Sequence, residues 1–386
     1  MKYRELRRDA DPWMLARYLR ERVVDIHEIA IVRRDSLLPA AASECDGAFP
    51  PTAIGDAFVA DVGSALEHPF TVVTAEVALP DEPDTCPAVH LRWGSHSEGM
   101  LFVDGEPATG IGTAMWDDGQ PVWVPALRGG PHTLQLHLER DEGAGQMRAP
   151  ERSRLDRLDV LLIHEPTFEL AVAVSTAVEV YEALDANHPC RRTIRRALMD
   201  TARALTVGDP AGLRASAGEL RDALCERVFN GQHCGPARLV ACGHAHIDLA
   251  WLWSRGKTRR KSLRTFATQL ALSDRFPWAR FQQGQFPLYA WAREDAPAMF
   301  ERVRAKVADG VFVADGSVYV EPDTHATGLE SLVRQLTLGR RRFRELGQPD
   351  SAVVWMPDCF GFSRSLPQLM AKAGIQALIT SKISWN

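Results

Sequence analysis

No uninterrupted apolar stretch in this sequence approaches the roughly 20 residues needed to span a bilayer. The start, MKYRELRRDADPW, has no apolar core of signal-peptide length, and no Asn-x-Ser/Thr acceptor occurs anywhere. Cysteine is sparse and unpatterned: seven residues, at 45, 86, 190, 225, 234, 242 and 359, an odd number without a framework of spacings. A reducing cytoplasm is the setting these absences predict, with no membrane partner. Excess positive charge is also lacking. Lys and Arg number 45 against 50 Asp and Glu, a formal net charge of -5, which argues against a nucleic-acid partner. What remains is ordinary globular material, 45% hydrophobic and 25% charged, and 386 residues suggest two or three domains.

Residues 1–34 are charged, and DPWMLARYLRERVVDI carries apolar residues at helical spacing, so they read as a helical leader. From 35 to 166 the texture changes to short runs such as FTVVTAEVAL, GMLFVDGEPATG and HTLQLHLE, bounded by Gly, Pro or Asp. Several such strands, with Asp104-Gly105 as a hairpin turn, predict an antiparallel β-sandwich. Trp93, Phe102, Trp116 and Trp123 could form a sugar-stacking platform, but aromatics in a small sandwich more often form its core. Residues 144–156 read as a polar excursion before a last strand, DVLLIHE. Residues 167–235 predict a linker of two or three helices, separated by NHPC and GDP. From 236 to 386, strands and helices alternate, with strands in ARLVACGH, ARFQQGQ, VFVADGSVYV, SAVVWMPD and IQALITSK. The first two helices are expected through LAWLWSRGKTRRKSLRTFATQLALS and PLYAWAREDAPAMFERVRAKVAD. That order implies a parallel sheet, open or closed into a barrel, with ligands at the carboxyl ends of its strands.

The first of those strands leads into His244, His246 and Asp248. On a strand, side chains two apart share a face, so the three would point together. Imidazole and carboxylate at this spacing suit Zn²⁺ or a similar first-row metal. The plainer reading is a polar loop whose histidines hydrogen-bond to backbone. Asp358 falls at another strand end, on the same rim. Two further motifs fail. Gly256-Lys257-Thr258 would need a glycine at position 251 to make a phosphate-binding loop, and Trp251 stands there. Cys234 and Cys242 lack the close cysteine pair of a zinc finger. The basic run RGKTRRKSLR reads as a solvated helix face.

GHAHIDLAWLW and VVWMPDCFGFSRSLPQLMAKAG, with GSVYVEPDTHATGLESLVRQLTLGRRRF and ITSKISWN between and after them, resemble the class II α-mannosidases, glycoside hydrolase family 38. The likeness is close over 238–386; the preceding region resembles, more loosely, the cytosolic-type members. It implies that 236–386 is the amino-terminal part of the family's catalytic barrel, and the whole chain an amino-terminal fragment. It also implies Zn²⁺ (or Co²⁺) held by His246, Asp248 and Asp358, with Asp358 doubling as nucleophile. Trp251 would stack on the sugar, Phe360 would line the pocket, Lys382 would stand near the nucleophile, and His244 would lie in the shell behind the metal ligands. Thr324-His325 and Gly284 depart from the family pattern, where Gly-Asn and Ser are usual.

The implied function is hydrolysis of terminal α-D-mannosyl residues of oligosaccharides, with retention. The implied fourth metal ligand and general acid lie beyond Asn386, so a complementing carboxy-terminal half or a homo-oligomer is the expected partner. The alternatives are a non-catalytic carbohydrate-binding remnant and a metal-dependent carbohydrate deacetylase. The deacetylase would need His-x-x-x-His metal spacing, which the sequence lacks.

Overall fold

The Val-, Thr- and Phe-rich runs of the first half become strands because each alternates apolar and polar side chains between turn residues. The computed structural model describes residues 31–36, 41–44, 57–59, 70–81, 84–93, 98–112, 122–139, 152–205, 209–231, 238–251, 253–349 and 351–385. Its first ten strands are β1 (Ile31–Ser36), β2 (Ala41–Glu44), β3 (Ala57–Val59), β4 (Phe70–Leu79), β5 (Thr85–Trp93), β6 (Glu98–Val103), β7 (Glu106–Gly112), β8 (Val122–Trp123), β9 (Gly130–Glu139) and β10 (Arg152–His164). They form two antiparallel sheets. One runs β1-β10-β5-β8, with β3 also on β10; the other runs β2-β4-β9-β6-β7. Val77, Leu101, Val103, Leu134 and Leu136 of the second sheet share one buried cluster with Val89 and Val160 of the first. Asp104 (φ 52°) and Gly105 (φ 83°) make the β6–β7 turn, a pair of positive φ angles that suits the strands' twist.

Two expectations are corrected here. Residues 31–34 open a strand rather than close a helical leader, because β10 offers a long edge that β1 pairs from Ile31↔Ile163 to Ser36↔Asp159. The rest of the leader, 1–30, lies outside the described residues. Residues 152–156, read as polar excursion, already belong to β10, where Arg152–Arg154 pair with β3; residues 144–151 are not described. Among the four aromatics, Trp123 packs edge-on against Phe168 at 5.0 Å with the Arg275 guanidinium 4.1 Å above it. Phe102 lies 4.3 Å from the His137 ring and against the core of the second half. Both are packing residues. The side chains of Trp93 and Trp116 are outside the described set.

Helices α1 (Glu165–Ala183), α2 (Pro189–Ala204) and α3 (Pro210–Val228) follow, each with proline in its first turn, where no N–H is needed. They share a core of Leu170, Val174, Tyr181, Ile194, Leu198 and Leu224.

The second half alternates as β11 (Gly243–His244), α4 (Arg255–Arg275), β12 (Phe281–Gln282), α5 (Phe286–Asp295), α6 (Pro297–Ala308), β13 (Phe312–Val313), α7 (Leu329–Glu345), β14 (Val353–Trp355), α8 (Leu366–Lys372) and β15 (Ala377–Ile379). All its strand pairs are parallel. The five do not make one continuous ladder: β11-β12-β13 and β14-β15 are separate. Ser317, at φ 60°, turns the chain after β13. Side by side, the groups are joined by bonds from Trp355 N–H to the Gly316 carbonyl (3.2 Å), from Ser317 Oγ to the Val353 carbonyl (2.7 Å) and from the Trp355 indole N–H to His244 Nε2 (3.3 Å).

The first strand is shorter than expected, since β12 offers partners only to residues 243 and 244. Leu239 and Val240 are consequently 94% and 89% exposed. The helix expected from Leu249 starts at Arg255, where the Ser254 hydroxyl caps it by accepting from Lys257 N–H at 3.3 Å. Pro297 lacks the N–H a continuous helix requires, so the long helix expected over 287–309 breaks into α5 and α6. The halves meet where β7 crosses α4: Gly110 N–H donates to Thr268 Oγ1 at 2.9 Å. A Cβ on Gly110 would lie 2.8 Å from that oxygen, so the approach requires glycine.

Candidate metal centre and active site

Each strand of the second half delivers its next few residues to one rim. Past β11 come His246 and Asp248, past β13 comes Glu321, and past β14 comes Asp358. His246 Nε2 lies 3.4 Å from Asp248 Oδ1 and 3.7 Å from Asp358 Oδ2. One donor atom from each of these three residues falls within 4.8 Å of the others. One imidazole nitrogen and two carboxylate oxygens at such separations are a donor set that fits Zn²⁺ and leaves coordination positions open. His246 and Asp358 are partly shielded, with side chains 28% and 32% exposed.

Glu321 completes the group, though no role follows for it from the sequence. Its Oε2 lies 3.2 Å from His246 Nδ1. Its Oε1 accepts the backbone N–H of Asp358 at 2.5 Å. The hydrogen bond to Glu321 holds the His246 imidazole above its ordinary pKa, with the Asp248 and Asp358 charges adding to it and burial opposing it. Asp323, two residues on, accepts from the N–H groups of His325 (2.8 Å) and Ala326 (2.9 Å). Those backbone bonds hold its carboxyl below the usual range.

The His244 ring lies beside that of His246, with centroids 6.4 Å apart. Its Nδ1 is 3.0 Å from the Gln282 carbonyl, and its Nε2 accepts the Trp355 indole N–H at 3.3 Å. Both ring nitrogens are thereby committed between strands, and burial lowers its pKa. Lys382 Nζ sits 2.7 Å from Asp358 Oδ1 and 4.5 Å over the Phe360 ring. Phe360 is 81% exposed and lines a cavity of about 510 Å³ with His246, Asp248, Glu321, Asp323, His325 and Asp358. Trp251 is 64% exposed and meets Trp253 edge-on at 5.5 Å, but does not line that cavity. The departure Thr324-His325 borders the same space: Thr324 Oγ1 donates to the Gly361 carbonyl at 3.0 Å and accepts from Ser363 N–H at 2.9 Å.

Residues 236–386 match the glycosyl hydrolases family 38 N-terminal domain. This segment belongs to that family. The wider chain is similar to alpha-mannosidase G of Dictyostelium discoideum, 29% identical over 88% of this chain and 31% of that protein. It is 33% identical to human alpha-mannosidase 2C1 over 77% of this chain and 29% of that protein. To the alpha-mannosidase of Saccharomyces cerevisiae it is 41% identical over 37% of this chain and 13% of that protein. The chain therefore spans about a third or less of each of these relatives. The family 38 segment coincides with the part of the fold that carries the rim. No helix among the described residues is long and apolar enough to cross a membrane.

Proposed function

We propose that this chain carries part of the catalytic centre of a zinc-dependent, retaining α-mannosidase acting on terminal α-D-mannosyl residues of oligosaccharides in the cytoplasm. The observation that carries the reading is the convergence of His246, Asp248 and Asp358 within the family 38 segment. In this reading the two antiparallel sheets are a β-sandwich over 35–166, α1–α3 are a linker over 167–235, and the parallel strands are an incomplete β/α barrel. A zinc ion held by His246, Asp248 and Asp358 would orient sugar hydroxyls and favour an oxocarbenium-like transition state.

The protein's own groups do the rest. Asp358 is the nucleophile, with Oδ1 fixed by Lys382 and its backbone N–H by Glu321, so the carboxylate presents one face to the cavity. Phe360 supplies an apolar wall, and Trp251 an exposed ring for stacking outside that wall. Retention requires a second carboxyl about 5 Å from the nucleophile to donate and then recover a proton. Glu321 is committed to His246 and Asp358, and Asp323 is held ionised by its own loop. The proton donor is therefore none of the carboxyls bordering this cavity, and a complementing segment or a second copy of the chain would bring it.

The test is an aryl α-mannoside assay of native and Asp358→Ala chains, with and without added Zn²⁺ or Co²⁺. Slow turnover that needs both metal and Asp358 is the expected result. Turnover indifferent to both would overturn the assignment. Release of acetate from an N-acetylated sugar would favour the deacetylase reading, and sugar binding without turnover the non-catalytic one.

A further inference from the structure

We propose that Glu321 is a positioning residue that fixes which nitrogen of His246 faces the metal-binding cluster and at the same time seats Asp358. A carboxylate accepts hydrogen bonds and donates none, while a neutral imidazole carries a single N–H. Glu321 Oε2, 3.2 Å from Nδ1, is the nearest of the three carboxylates to the ring, which assigns that N–H to Nδ1. The lone pair is then on Nε2, the nitrogen facing Asp248 and Asp358 at 3.4 and 3.7 Å. The other oxygen, Oε1, takes the Asp358 backbone N–H. One side chain, only 10% exposed, thus ties the loop after β11 to the loop after β14, and the cluster forms between them. Carboxylate–imidazole pairs behind a metal ligand fix ring orientation in this way.

The segment after β13 that carries Glu321 is fastened to the loop after β14 independently of that carboxylate. Cys359 Sγ donates to the Pro322 carbonyl at 3.1 Å, and Thr324 bridges Gly361 and Ser363. Exchange of the Glu321 carboxylate for an amide therefore leaves the loop attached. The amide oxygen can still accept from Asp358. Its NH₂ would face Nδ1 as a donor, forcing the N–H to Nε2 and blocking the nitrogen aimed at the cluster.

The inference rests on the metal reading for its functional meaning, but its structural half is measurable without metal. The experiment compares the full chain with Glu321→Gln and Glu321→Asp by ¹⁵N NMR of the neutral His246 ring in metal-free protein, and by Zn²⁺ titration calorimetry. The native chain should show the N–H on Nδ1, and Glu321→Gln should move it to Nε2 and weaken Zn²⁺ binding about 10–100-fold. Glu321→Asp should retain the native tautomer and recover part of the affinity. An unchanged tautomer in Glu321→Gln would overturn the inference whatever the metal does. A native chain that binds no Zn²⁺, yet shows the tautomer switch, would remove the metal reading and leave the positioning role standing.

Discussion

At the scale of single residues, His246 carries the most consequences, since both other proposed ligands and one Glu321 oxygen converge on it. His246→Ala or Asp248→Ala is expected to abolish Zn²⁺ binding, because two oxygens or one nitrogen and one oxygen hold the ion too weakly. Calorimetry giving native affinity in either variant would remove that residue from the set. The pH dependence follows from the same contact. In metal-free protein the His246 pKa is raised above its ordinary 6.5 by Glu321, so the pairing stabilises the fold fully below that value. Its contribution is lost as pH rises through the raised pKa. The difference in Tm between native and His246→Ala should therefore shrink on going from acid to alkaline pH in the presence of chelator. Zinc affinity should move the other way, rising with pH as the competing proton leaves. A Tm difference that grows with pH would contradict the Glu321 pairing.

At the scale of elements, the junction of β7 with α4 ties the two halves together. Gly110→Val is expected to destabilise the chain by about 1–3 kcal/mol through overpacking against Thr268 and the Arg264 carbonyl, read as a lower urea midpoint. An unchanged midpoint would mean that the helix can back away freely. Nothing in the sequence pattern announced this contact: Gly110 sits in a run of turn-like residues, and Thr268 lies on a helix whose face is set by partners distant in the chain. What could be read was local. The β6–β7 turn was legible because Asp-Gly favours positive φ, and the α/β alternation was legible from its periods. Strand lengths were not. ARLVACGH has the composition of a full strand, yet its extent depends on how many residues β12 offers beside it, and that number is two. Glu321 was missed as a positioning group for a related reason: its partners, His246 and Asp358, come from strands far away in sequence. The spacing of His246 and Asp248 was visible because a strand end orders neighbours by itself.

The pairing pattern also sets where the whole molecule yields. β4 and β9 pair along ten residues each, whereas β11, β12 and β13 pair through two apiece and leave Leu239 and Val240 in solvent. Limited proteolysis should therefore cut within 238–386 before it cuts the β4–β9 ladder. Early loss of 70–139 with 238–386 intact would reverse that order.

Turnover by the proposed site belongs to the same scale, and it would depend on protonation of the leaving group. In the proposed mechanism Asp358 attacks, but Glu321 is already bonded to two partners and Asp323 is held low by two backbone N–H groups. Neither can act as the acid that a neutral-pH glycosidase needs. General acid–base help is typically worth about 10²–10⁴-fold, and the loss falls hardest on poor leaving groups. The 386-residue chain is thus expected to hydrolyse nitrophenyl α-mannosides slowly and unactivated mannobiose not at all, with Asp358→Ala removing the slow reaction. Joined to the remainder of a close relative, the chain should gain activity on mannobiose, and Asp358→Ala should again remove it. Fast mannobiose cleavage by the chain alone would mean that a proton donor exists within it, and His325, on the wall of the same cavity, would be the first residue to replace.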